Sequence, residues 1–254
     1  MFMDKIDRSQ RLAAKIAGVT GLLAVAIVVF GNYVLLSPLI VPRDAAETAR
    51  NIMAHQTQVR AALVCFLLYS ANVVVLLAAL YVILRPVDRI LALIGALFRL
   101  VFAVLWLLAT LNLLGSLRLL GTVPYLEVFQ PDHVQALARL QIAANFDDYY
   151  IGLPFFGLAA TICAYLWLKS GYIPKTLAVF GVISSGWCVI CAFVFLVFPN
   201  FNKFVNDYIF DTPMAIFELV VSLWLLFKGL PPARAPTESD RVSNLHHHKF
   251  PIFL

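Results

Sequence analysis

The chain has 254 residues, 62% hydrophobic and 13% charged, against about 45–50% apolar and about 25% charged in a soluble domain. The apolar residues gather into runs of about 20, which excludes a soluble globular domain, and the lack of short alternating segments excludes a β-barrel. The net charge of +5 comes without a basic cluster interleaved with aromatics, so nucleic acid is excluded as a partner and the basic residues mark membrane edges.

The reading is an all-α, polytopic membrane protein: a bundle of six transmembrane helices with two short outer-face helices. A cytoplasmic N-terminal segment, 1–16, leads into the first span, Ala17–Val41. The charged start MDKIDRSQRLAAK would suit a secretory leader. The apolar run after it is too long for one, and NYVLLSPLIVP offers no small-x-small cleavage site, so a retained helix is expected. The first outer helix is expected at Asp44–Arg60, where Asp44 can cap and Glu47 sits three residues on, with Ala45, Ala49, Ile52 and Met53 on its apolar face.

The second and third spans are Ala61–Leu84 and Ile90–Leu114, joined by the tight turn RPVDR. The second outer helix is expected at Pro131–Ala144, with Val134, Leu137, Leu140 and Ala144 on one side. The fourth, fifth and sixth spans are Ile151–Leu168, Thr176–Phe198 and Pro213–Phe227, completing a transmembrane domain over 17–230. The segment 231–254 is polar and Pro-containing and reads as a disordered cytoplasmic tail; its His246–His248 run reads as adventitious.

Placing the N-terminus inside puts twelve Lys and Arg residues on the inner side and six on the outer, with Arg99 left in the membrane. Both termini are therefore expected in the cytoplasm of a multi-pass plasma-membrane protein.

Chemistry-bearing residues are few. Cys65, Cys163, Cys188 and Cys191 all lie in apolar runs and read as small packing residues, including the C-x-x-C formed by the last two. Ser184 and Ser185 lie near mid-membrane, where serines hydrogen-bond between helices. Before the tail the histidines are His55 and His133. His133, with Asp132, Asp147, Asp148 and Glu127 near it in sequence, makes an outer-face catalytic or metal group conceivable, but no pair has helical ligand spacing. No metal and no cofactor is expected.

The membrane interior is more telling, because an ionisable group there is costly and needs a partner. Arg99 falls about 13 Å into the third span, near the midplane. Glu218 lies about 7–8 Å below the outer edge of the sixth span, and Asn72 lies nearly level with Arg99 in the second. Glu218 and Asn72 are expected to satisfy Arg99. Two roles fit this cluster: pinning three helices in register, or lining a cavity that holds a polar or anionic ligand group such as a lipid headgroup.

The phrases VPRDAAETARNI, YVILRPVDRILALIGALFRLV, FFGLAATICAYLWLKSGYIPKTLAVFGV and ELVVSLWLLFKGL, in this order and spacing, resemble the bacterial membrane family catalogued as domain of unknown function 4386. The likeness runs from about Lys15 to Leu230 and implies a six-helix membrane protein with no established activity. The family pattern often carries a histidine after FFG; here Phe155, Phe156 and Gly157 are followed by Leu158 and Ala159.

Three functions follow as expectations. The first is binding or moving a small amphiphile such as a lipid, with Arg99 and Glu218 in the site and membrane lipids as partners. The second is an intramembrane lipid-modifying enzyme using His133, Asp147 and Asp148. The third is a structural accessory subunit. Spans one to three show no repeat of spans four to six, which counts against an inverted-repeat transporter.

The basic-residue count yields a direct test of topology. An impermeant thiol reagent applied to intact cells is expected to label a cysteine placed at Gln135 and to miss one at Ser170; the reverse pattern would invert the protein.

Overall fold

The computed structural model describes residues 6–41, 44–121, 130–198, 205 and 207–231, with the side chains of 45, 131, 132 and 207–209 outside the description. The expected tail with His246–His248, and the Glu127 segment, lie outside the described residues. Among those residues the chain is helical apart from short turns and ends. Helix α1 spans Arg8–Val29 and continues as a π-helical segment, Phe30–Leu36, and a 3-10 turn, Ser37–Leu39. Helices α2 (Ala45–Ala54), α3 (Gln56–Leu84), α4 (Arg89–Leu120), α5 (Pro131–Ser170), α6 (Lys175–Val197) and α7 (Asp207–Phe227) follow. Six of these stretches are long and apolar enough to cross a membrane, and the protein is a polytopic α-helical membrane protein.

Local sequence sets the ends. The Asp44 carboxylate accepts the Glu47 N–H at 2.8 Å, as the capping pattern predicts, and α2 ends where His55 leaves helical geometry (φ −120°, ψ 40°). The first outer helix is thus shorter than expected, and residues 56–60 open the second span instead. Asp88 caps α4 by accepting the Leu91 N–H at 3.1 Å and faces Lys169 Nζ at 3.4 Å across the neighbouring turn. The Leu91 N–H, and after it Lys169, hold the Asp88 carboxyl below its usual pKa. Gly171 ends α5 at φ +67°, a left-handed conformation that costs glycine little.

The segment expected as a second outer helix is helical, but it is the first part of α5, which runs unbroken for 40 residues through Pro154. Its buried stripe is Ala138 and Ile142, whereas Leu137 and Leu140 are exposed. The apolar side read from the sequence is thus not the side that packs on the bundle. In a membrane protein the large apolar side chains face lipid and small ones face the neighbours.

The spans form a closed ring in the order α1, α3, α4, α5, α6, α7 and back to α1, each packed on the next. The outside carries exposed leucine, valine, isoleucine and phenylalanine, such as Leu67, Leu111, Ile190 and Phe193. The seams carry small residues and polar clamps. Gln10 Nε2 donates to the Ile83 carbonyl across α1 and α3 at 3.3 Å. Asn145 Nδ2 donates to the Ala109 carbonyl across α5 and α4 at 2.7 Å. Thr161 Oγ1 and Ser185 Oγ meet at 2.9 Å across α5 and α6, the interhelical role expected of a mid-membrane serine. The ring closes where α1 meets α7. There a Cβ on Gly18 would lie 2.8 Å from the Leu226 nitrogen and 2.9 Å from the Ser222 carbonyl, and one on Gly21 would run into the Ser222 hydroxyl.

This close approach makes the α1–α7 seam the place where added volume opens the ring. Gly21→Leu is expected to lower stability by about 1–3 kcal/mol in unfolding measurements in detergent, as overpacking does. Gly186→Leu, at a helical glycine with nothing near its would-be Cβ, should leave stability unchanged. Equal losses would mean that the seam is not closely packed.

Candidate functional site

Arg99 belongs to α4 and Glu218 to α7, which stand on opposite sides of the ring. Their side chains meet across its middle as an ion pair from Arg99 Nη2 to Glu218 Oε1. The guanidinium is 4% exposed and the Glu218 side chain 23%, and the face of the Phe156 ring lies 5.0 Å from the guanidinium carbon. They meet at one height because α7 begins at Asp207, six residues before the expected Pro213. Glu218 therefore sits about 16 Å into its helix, against about 15 Å for Arg99 into α4.

Asn72 is placed differently from the expectation. Its Nδ2 donates to the Thr20 carbonyl of α1 at 2.7 Å, where the neighbouring Thr20 hydroxyl turns back to the Ile16 carbonyl at 2.7 Å. This bond clamps α3 to α1. Arg99 Nε is buried without an acceptor among the described residues, and Arg99, Glu218, Cys163 and Ser222 line a cavity of about 40 Å³, a size that suits a water molecule.

Towards the end of the bundle that carries α2, an aromatic stack rises from this pair. Phe156 packs on Phe102 with centroids 4.7 Å apart, Phe102 on Trp106 at 5.7 Å, and Trp106 on Tyr69 and Tyr149 at 4.8 and 5.6 Å. Above it lies a partly open cavity of about 290 Å³, at the lower end of the range for small-molecule sites, about 300–1,000 Å³. The π-helical segment contributes Asn32, Tyr33 and Leu36 to its wall, and α4, α5 and α7 contribute Thr110, Asn145 and Asp211. π-helical turns bulge the backbone and recur at functional sites. Tyr149 donates its hydroxyl to Asp211 Oδ2 at 3.2 Å. Trp106, 6% exposed, keeps a buried Nε1–H with no acceptor among the described residues.

Sequence reasoning missed this cavity. Asp211 fell into a loop because the sixth span was started at Pro213, and Asn32 read as one polar residue in a plain span. A usable signal was there: Asn32 and Thr110 lie in the C-terminal halves of the first and third spans, and Asn145, Tyr149 and Asp211 in the N-terminal halves of the fourth and sixth, which is the same end of the bundle.

The outer-face residues are not gathered. His133 and Asp147 are both exposed on α5, fourteen residues or about 21 Å apart along one continuous helix. Asp148 accepts from Asn112 Nδ2 at 2.6 Å and ties α5 to α4. Among the described residues no three His, Cys, Asp or Glu side chains are grouped to hold a metal ion. All four cysteines are free, with Cys188 and Cys191 buried.

The cross-ring pair predicts a definite pattern of coupling. Arg99→Leu or Glu218→Leu alone strands one charge in an apolar setting and should cost on the order of 3 kcal/mol. The double leucine variant should recover most of that loss in the same unfolding assay. Additive losses would show that the two side chains do not depend on each other.

A family model described as Domain of unknown function (DUF4386) matches residues 16–229. No curated protein and no solved structure matches the chain. The family match runs from α1 through α7, including both members of the ion pair and the described lining of the cavity. On that match, the chain belongs to the family described as domain of unknown function DUF4386.

Proposed function

We propose that this protein is a plasma-membrane protein that holds a small amphiphile in the cavity at the α2 end of its helix ring. One observation carries the reading: a partly open space of about 290 Å³ inside a membrane bundle, walled by aromatic and hydrogen-bonding side chains. An aromatic wall takes an apolar chain or ring, while Asn32, Thr110, Asn145 and Asp211 take a polar end. Below the cavity the Arg99–Glu218 pair and the aromatic stack cross the ring axis, so the space supports a pocket better than a continuous pore.

The proposed role is binding rather than bond-making. The described lining offers hydroxyls, amides, an indole and one carboxylate, with the Tyr149 hydroxyl donated to Asp211, a set suited to holding a ligand. With the basic-residue count placing the turn end in the cytoplasm, the cavity opens towards the outer leaflet or the space beyond it.

The test fills the cavity. Ala109 is buried and lines it, so Ala109→Phe should occupy the space with little change elsewhere. Native mass spectrometry of wild-type protein extracted gently from membranes is expected to show a bound amphiphile, and Ala109→Phe to reduce that adduct at least about tenfold while remaining folded. A wild-type protein with no adduct, or a variant that keeps it in full, would remove the cavity from consideration.

A further inference from the structure

We propose that the outward side of α1, where the helix begins, docks an anionic glycerophospholipid: Arg8, Arg11 and Lys15 hold the phosphate head, and the chains lie along Ile16, Val19 and Leu23. This surface is at the opposite end of the bundle from the cavity and does not depend on it.

The first observation is the division of α1 into two sides. At 3.6 residues per turn, these six residues fall within an arc of about 140°. All six are exposed, whereas Ala13, Ala14, Ala17 and Gly21 are buried on the opposite side. The outward strip is also graded along its length. The three cations occupy the first two turns, and apolar side chains follow, with Ile16 at 36%, Val19 at 44% and Leu23 at 47% exposure. A phospholipid has the same order, a charged head and then apolar chains. Arginine and lysine stems can lie on apolar surface while their charges stay at the polar boundary. A free phosphate would use the cations and leave the apolar half of the strip without a role.

The second observation is that the cations are not neutralised from within. The ion pairs among the described residues use Arg50, Arg99 and Lys169. Arg8, Arg11 and Lys15 therefore have no carboxylate in contact among those residues. Asp7, the acidic residue beside them, is occupied: it accepts the Ser9 hydroxyl at 2.9 Å and feels the charge of Arg85 from α3. Lys169, at the same end of the bundle, faces Asp88 instead.

The height of the strip is consistent with a headgroup. Gln10, between Arg8 and Arg11, donates to the Ile83 carbonyl, so the cations lie level with the RPVDR turn at the edge of the membrane-spanning region. Clusters of basic residues at that boundary attract anionic lipid over zwitterionic lipid, and guanidinium groups bind phosphate oxygens in pairs.

The test titrates the delipidated full chain, in neutral detergent, with dioleoylphosphatidylglycerol, dioleoylphosphatidylcholine or glycerol 3-phosphate, and counts adducts by native mass spectrometry. The two lipids share phosphate and chains and differ in net charge; the third probe carries a phosphate without chains. Phosphatidylglycerol is expected to bind at least about tenfold more tightly than either of the others. Arg8→Gln/Arg11→Gln/Lys15→Gln should reduce that advantage to less than about twofold, and the milder Lys15→Gln should lower it at least about twofold. Arg60→Gln/Arg118→Gln/Arg139→Gln, which removes three exposed cations from the other end, should keep it, as should Ala109→Phe in the cavity. Equal binding of the two lipids would overturn the inference, and glycerol 3-phosphate binding as tightly as the lipid would show a site for free phosphate instead. A preference that survives in both α1 variants, or is lost equally from the other-end variant, would show that the strip is not the site. Loss in Ala109→Phe would place the lipid in the cavity and overturn the α1 site while leaving the reading of the cavity intact.

Discussion

A guanidinium placed near the middle of an apolar helix has few ways to persist in a bilayer. It can reach for water at the membrane edge, drag a lipid phosphate inward, or meet a carboxylate from another helix. Arg99 takes the third course. Its partner, Glu218, comes from the opposite side of a six-helix ring rather than from an adjacent helix. A pair that spans the ring fixes the heights of α4 and α7 relative to each other and sets the diameter at that level. Everything between them must then pack around a crossbar, which accounts for the Phe156 ring on the guanidinium and the aromatic stack that follows.

The remaining packing follows from the solvent. Lipid tails are as apolar as leucine, so burying leucine between helices contributes little, and the seams rely on close backbone approach and hydrogen bonds. Gly18 and Gly21 let α1 lie against α7. Asn72, Asn145 and Thr161 each join two helices through a side-chain hydrogen bond. The cavity lies where this close packing loosens. The π-helical turn after Val29 widens α1, and Pro154 withdraws the backbone donor that would bond the Tyr150 carbonyl four residues back. Both irregularities lie beside the same space, which is where polar backbone in a membrane is tolerated.

Much of the architecture was legible because one signal, apolar runs long enough to cross a bilayer, is set by bilayer thickness. The six spans came from that signal, the Asp44 cap from its spacing to Glu47, and the Arg99–Glu218 contact from the cost of burying charge. What was not legible depended on rotation about helix axes. Asn72 stands at the right depth for Arg99 but bonds to Thr20, and depth alone does not separate the two. Leu137 and Leu140 face outward because amphipathic patterning reverses its sense in lipid. The cavity was hidden because its polar residues come one or two from each helix, so no segment announces it. Only the ring order brings Asn32, Asn145 and Asp211 together.

The contact across the ring is measured most directly as a distance in a bilayer. Solid-state NMR dephasing between ¹⁵N-labelled arginine Nη and ¹³C-labelled glutamate Cδ can be recorded on the protein in lipid. An Arg50→Gln background removes the exposed Arg50–Glu47 pair of α2. A strong coupling is expected at about 4 Å, the span of an ion pair, and it should vanish in Glu218→Gln protein with unlabelled glutamine. A coupling that is absent from the start, or that survives that substitution, would mean that Arg99 is held by something else and that the ring has no crossbar.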